Sequence, residues 1–254
     1  MGRGDLAYGR MGRVPVRPDI IVTWPESCDY PLWRRWLASE RERFAQVIVA
    51  FSPAGRPDLR EHVRSVTPDV TFLDTRWEDG RDWRDAAVNA ALRVSDADWV
   101  WFTEQDFLVE DPRFWSVPDA FGGCMRASAI GTRQGEEGRW HPCCLFVRRT
   151  TIDLTSHDFS VTEDGDHFAR FGRDLEALGA RVVDLDYWSD PSWYSHMAGL
   201  SHNHSLVERG WPVTYKPDEF ARYLLECLGR RDDLDAGWVS QAAGWLERYS
   251  EGRG

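Results

Sequence analysis

Four short apolar runs separated by three helical stretches fill residues 19–103, and this alternation constrains the fold more than any other feature of the chain. Ile20-Ile21-Val22-Thr23-Trp24 is short, rich in β-branched residues and stopped by Pro25, the pattern of a buried strand. Residues 46–51, 70–73 and 99–103 read the same way. Between them, Tyr30 to Phe44 spaces Leu32, Trp33, Trp36, Leu37 and Phe44 as a helix does, residues 57–66 predict a second helix, and the alanine-rich stretch Asp82 to Val94 a third. Strands that are apolar on both faces and joined by helices predict an α/β fold, with a mostly parallel central sheet flanked by helices. Ligands of such sheets bind beyond the carboxyl ends of the strands, so the residues following each strand matter most.

The second half is less regular. Residues 121–130 and 143–149 predict strands around a polar loop, Thr132 to His141, whose two glycines suit either a mobile lid or a plain hairpin tip. Asp166 to Leu178 predicts a helix closed by Gly179, and Arg181 to Leu185 a strand. Trp188 to His204 reads as a loop, and 217–229 and 236–249 as C-terminal helices. The expected organisation is a flexible lead-in over 1–18, a main domain over 19–215 and a helical segment over 216–254.

Composition then narrows the function. A net charge of −11 removes any global pull toward phosphate backbones or anionic lipid. No apolar run approaches the roughly 20 residues of a membrane span. The arginine-rich start lacks the apolar core and cleavage site of a secretory signal. Cys28, Cys124, Cys143, Cys144 and Cys227 form no CxxC pair and no even framework, so a reducing cytoplasm is expected. Fourteen tryptophans are many for this length. Trp33, Trp36, Trp99 and Trp101 fit the core. Trp24, Trp77, Trp140, Trp188 and Trp193 fall at strand ends or in loops, where flat rings suit sugars and bases.

Glu104 and Asp106 stand just past the fourth strand, two apart and therefore on one side of an extended chain. Paired carboxylates at a strand end suit Mg²⁺ or Mn²⁺, which share their coordination with substrate phosphates; the plainer alternative is a solvated acidic turn. Three of the seven histidines, His196, His202 and His204, fall within nine residues. They suit a metal or ordinary loop packing, and His202 and His204 would share a face of any strand. Asp79, Arg81 and Arg84 precede or open the third helix, where Arg84 fits a phosphate or a surface salt bridge. Cys143 and Cys144 read as buried strand residues.

Taken in order, these segments resemble the GT-A glycosyltransferases of the family-2 type, with their Rossmann-like sheet, over roughly residues 19–204. The likeness rests on Val22-Thr23-Trp24-Pro25 closing the first strand, and on Asp85-Ala86-Ala87-Val88-Asn89 in place of an Ala-Arg-Asn motif. It rests also on Glu104-Gln105-Asp106 in place of Asp-x-Asp, and on Glu163-Asp164-Gly165-Asp166 before the late helix. The sequence departs from the pattern at Glu104, at Val88, and at Phe51-Ser52-Pro53, where an acidic residue is common.

The resemblance implies an inverting transfer of sugar from a nucleotide-sugar donor to an acceptor hydroxyl, assisted by Mn²⁺ or Mg²⁺. It implies Asp106 as direct metal ligand and Glu104 acting through water or on the donor ribose. A late histidine completes the metal site: His202 first, with His204 and His196 behind it. The implied general base is Asp164 or its neighbour Asp166, either of which alternatively caps a helix. Trp24, Pro25, Glu26, Arg84 and Asn89 are implied around the donor, and Trp140, His141, Trp193 and His196 around the acceptor. That acceptor is a glycan, a protein, a small molecule or a modified DNA base, the last disfavoured by the acidic charge. Two rivals remain: a nucleotidyltransferase, against which the missing glycine-rich loop after the first strand counts, and a non-catalytic sugar- or nucleotide-binding protein on the same fold.

Overall fold

The computed structural model describes residues 15–24, 29–53, 56–76, 82–123, 127–134, 139–160, 167–197, 199–229 and 234–251. The first hundred residues follow the predicted alternation: β1 (Asp19–Trp24), α1 (Pro31–Glu40), β2 (Val47–Phe51), α2 (Pro57–Val66), β3 (Thr71–Asp74), α3 (Trp83–Val94) and β4 (Trp99–Thr103). Then come β5 (Phe107–Val109), α4 (Ser116–Gly122), the hairpin β6 (Ala129–Gln134) and β7 (Arg139–Arg148), and α5 (Arg149–Ile152). The chain ends with α6 (Ala169–Ala177), β8 (Val182–Asp184), α7 (Leu185–Trp188), β9 (Tyr194–His196), α8 (Leu200–Glu208), α9 (Pro217–Leu228) and α10 (Ala236–Glu251).

Seven strands form one sheet in the order β3-β2-β1-β4-β7-β6-β8. β1 pairs in parallel with β2 and β4, and β2 with β3, whereas β7 runs antiparallel to both β4 and β6. β5 and β9 make a separate antiparallel ribbon. Period-two alternation sorts each strand between two cores. Ile20, Val22, Trp24, Trp99 and Trp101 face one core, and Ile21, Ile48, Val100 and Phe102 face the other, with Val88, Phe171 and Leu175 of α3 and α6. Trp101 centres the first core, stacked on Phe146 at 4.7 Å and edge-on to Trp115 at 5.4 Å and Trp36 at 5.8 Å. The C-terminal helices belong to this core through Phe220, Tyr223, Leu224, Trp238 and Trp245.

Local chemistry sets the ends. Asp82 caps α3, its carboxylate accepting the Arg84 N–H at 2.7 Å. Gly179, at φ 63, ends α6 as expected: its N–H reaches Glu176 O and the Ala180 N–H reaches Leu175 O, each at 2.9 Å. Two expectations need correction. Residues 121–130 are not one strand, because α4 takes the first of them and β6 starts at Ala129. The stretch 188–204 is not one loop, because it contains β9 and the start of α8.

Candidate metal and donor site

β4 is the pivot of the sheet, parallel to β1 on one side and antiparallel to β7 on the other. Glu104 and Asp106 follow it directly. Gln105 between them is buried, and its side-chain amide donates to Thr23 O at the end of β1, fixing the turn. The chain then enters β5, where Phe107 pairs with His196 of β9, and the Met197 N–H closes on Asp106 O at 2.9 Å. That ribbon delivers His196 to the carboxylates: its Nε2 lies 3.5 Å from Glu104 Oε2 and 3.5 Å from Asp106 Oδ1.

A third strand contributes from the other side. The β6–β7 register slips between Gly131 and Arg133, so residues 141–144 of β7 bulge out of the ladder. Pro142 sits in that bulge, where its missing N–H costs no ladder bond. The bulge turns His141 and Cys143 toward His196, with the His141 and His196 rings 5.2 Å apart. Cys143 N–H donates to His141 Nδ1 at 3.1 Å, and Cys143 O accepts from Thr103 Oγ1 at 2.8 Å. Two sets of ligand atoms each lie within 4.8 Å of one another: Glu104, Asp106 and His196, and His141, Cys143 and His196.

The electrostatics favour a cation at this point. Burial pushes Asp106 above the usual carboxylate range, with the Glu104 charge adding to it against His196. Glu104 moves the other way: burial opposes its charge, but hydrogen bonding to His196 and the field of His141 hold it low. Burial alone would lower His196, yet Asp106, Cys143 and Glu104 around it raise it to about 12. The His196 ring thus stands within 3.5 Å of both carboxylates. Among the described residues the buried Asp106 Oδ1 has the His196 Nε2 at 3.5 Å and no closer hydrogen-bond partner. A buried carboxylate oxygen beside a second carboxylate and an imidazole is an O,O,N donor set that fits Mn²⁺ or Mg²⁺.

Next to the carboxylates lies a narrow cleft, lined by Thr23, Arg84, Thr103, Glu104, Pro142 and His167 among others.

No protein-family profile and no curated protein matches the chain. Solved structures do. S. aureus TarS (residues 1–349) is 14% identical, with a TM-score of 0.50 over 91% of this chain and 79% of that one. The fold is GT-A-like. The mannosyltransferase PcManGT of Pyrobaculum calidifontis, solved with GDP-Man and Mn²⁺, is 14% identical over 94% of this chain and 78% of its own, at a TM-score of 0.49. Glucosyl-3-phosphoglycerate synthase of Mycobacterium tuberculosis, solved with Mn²⁺ and UDP-glucose, is 13% identical over 80% and 81%, also at 0.49.

Within this GT-A-like frame, the expected site residues divide. Glu104 and Asp106 meet as predicted, and Arg84 lines the adjoining pocket. The histidine differs from expectation. His196, ranked behind His202 and His204 for the metal and also expected at the acceptor, is the one beside the carboxylates. His202 is exposed and His204 buried, because both lie on α8. Two helical steps turn about 200°, so the pair points to opposite sides and not to one. His204 packs among Tyr30, Phe220, Tyr223 and Trp238.

Several donor and acceptor expectations are corrected by packing. Trp24 is enclosed by Tyr30, Trp33 and Phe51 and has no free face for a base. Asn89 spends its amide on Asp85 O, Asp85 Oδ1 and His157 O, tying α3 to a distant loop. Trp140 is buried with the Arg133 guanidinium 4.3 Å over its ring. Trp193 holds the β5–β9 ribbon, its carbonyl accepting from the Glu110 and Asp111 N–H groups. His141, expected at the acceptor, stands in the side-chain cluster around His196. Pro25, Glu26, Asp164 and Asp166 lie outside the described residues, as do Trp77, Asp79 and Arg81. Cys143, expected as a buried strand residue, is buried on β7 and also stands beside His141 and His196; His-Pro-Cys inside a strand is the signal for the bulge that turns it there.

Proposed function

We propose that this chain is a metal-dependent glycosyltransferase that moves a sugar from a nucleotide-sugar donor to an acceptor hydroxyl. The observation that carries the proposal is the convergence of Glu104, Asp106 and His196 beyond the central strand, with Asp106 Oδ1 buried and His196 Nε2 3.5 Å from it. The triad follows the carboxyl end of β4, and ligands of α/β sheets bind beyond such strand ends, which supports this reading.

When bound, Mn²⁺ or Mg²⁺ supplies positive charge against the leaving diphosphate. Asp106 and His196 hold the ion, and Glu104 holds it or the donor ribose. Arg84, on the wall of the pocket, pairs with a donor phosphate. Thr23 and Thr103 line the same space. Asp164, or Asp166 beside it, takes the proton from the acceptor hydroxyl as that oxygen attacks the sugar carbon opposite the leaving group, which inverts the configuration.

Calorimetric binding of UDP, GDP, CDP and dTDP, with and without Mn²⁺, tests this on the wild type and on Asp106→Asn. One diphosphate binding only with Mn²⁺, and only to the wild type, supports the proposal and names the donor class. Binding of none of them, with or without metal, overturns it in favour of a non-catalytic relative of the fold.

A further inference from the structure

We infer that the same cleft carries a second, thiolate-bearing ligand set, His141, Cys143 and His196, which takes a thiophilic divalent cation such as Zn²⁺. The two sets share His196, so the two cations compete. Only the competition rests on the proposed function; the ligand set stands on its own geometry.

His141 and Cys143 are buried and lie two apart on the β7 bulge, so their side chains leave the same side of the strand. Their place is set before any ligand arrives. Thr103 of β4 grips the Cys143 carbonyl, and Thr132 Oγ1 lies 3.5 Å from Cys143 Sγ. One thiolate and two imidazoles make a softer donor set than two carboxylates and one imidazole, and softness sorts zinc from manganese and magnesium. Three protein ligands with a fourth position open is the arrangement of catalytic zinc. Tetrahedral zinc spaces its nitrogen and sulfur ligands by about 3.5 Å, so ligand atoms spread over as much as 4.8 Å close by about 1 Å through side-chain rotation.

The exchange balances without any oxidant. The Cys143 thiol and the His196 imidazolium each release a proton to solvent, the neutral His141 turns its Nδ1 lone pair from the Cys143 N–H to the cation, and the cation takes the three lone pairs. Zinc in this position holds His196 away from Asp106, which weakens Mn²⁺ on the carboxylate set.

Cobalt reports the thiolate directly. The whole chain is titrated with Co²⁺ and followed by thiolate-to-cobalt charge-transfer absorption, and Zn²⁺ affinity is measured against a chromophoric chelator. The band is expected in the wild type and in Asp106→Asn, and lost in Cys143→Ser. Zinc affinity is expected to fall at least about tenfold in Cys143→Ser, no less than the loss of an outer-shell partner causes. Circular dichroism checks that this variant folds; if it does not, His141→Gln, which keeps the thiol, is expected to show the same loss of zinc affinity. No band in the wild type, or one that survives Cys143→Ser, overturns the inference. Mn²⁺-dependent nucleotide binding without a cobalt band removes this inference and leaves the transferase standing; a cobalt band without nucleotide binding does the reverse.

Discussion

His204 gives the sharpest test of the packing. It is buried among four aromatic rings, and its Nε2 has no hydrogen-bond partner among the described residues. Burial lowers its pKa from 6.5 to about 4, with the nearby Asp29 charge offsetting only part of the cost. The folded state therefore prefers the neutral ring. Its contribution is complete above pH 6.5, shrinks as pH falls through 6.5 toward 4, and changes no further below that. The full span is about 3 kcal/mol, and at pH 4.5 about 2 kcal/mol of it is gone. Urea unfolding of wild type and His204→Phe at pH 7 and pH 4.5 isolates this term. Acids not coupled to His204, such as Asp158, held low by hydrogen bonding to Ser160 and Arg170 against the cost of burial, titrate equally in both proteins. Phe fits the cage and removes an unpaired nitrogen, so the variant should match or exceed the wild type at pH 7. It should lose about 2 kcal/mol less on acidification. Equal losses in the two proteins would refute a neutral, buried His204.

Three further outcomes follow from the same structure. His196→Ala should weaken Mn²⁺-dependent nucleotide binding about tenfold or more by calorimetry, whereas His202→Ala on the exposed side of α8 should leave it unchanged. Trp101→Ala, which empties the ring cluster of Trp36, Trp115 and Phe146, should cost about 3–5 kcal/mol in denaturant unfolding, while Trp211→Ala at an exposed position should cost under about 0.5 kcal/mol. Asp82→Ala removes the α3 cap and should cost about 1 kcal/mol, read as a lower melting temperature.

The sheet was legible because its physics is local. A strand buried on both faces must be apolar at nearly every position, and β1, β2 and β4 are. The helices between them carry their own punctuation, Pro57 opening α2, Asp82 capping α3 and Gly179 closing α6. The error at 121–130 has a physical source. Val117 and Phe121 stand four apart across α4, and Ala129 and Ile130 belong to β6, yet no proline or long polar run separates the two sets. Apolar content alone cannot divide a short helix from the strand that follows it.

The site was half legible for a different reason. Glu104 and Asp106 sit on one turn and needed only the strand before them to be recognised. His196 is some ninety residues away and reaches them through β5 and β9, each only three residues long. Three residues are too few to show a period, so no pattern announces the ribbon. Ranking the histidines without it meant treating 196–204 as one extended loop. Leu200–Glu208 is a helix, so His202 and His204 are separated by rotation, while His196, on the strand before, is the one carried to Glu104 and Asp106. Which histidine joins the carboxylates is thus a consequence of where a strand stops and a helix starts. The Pro142 bulge makes the same point on β7, where one interruption of the ladder turns His141 and Cys143 from wall residues into members of the cluster.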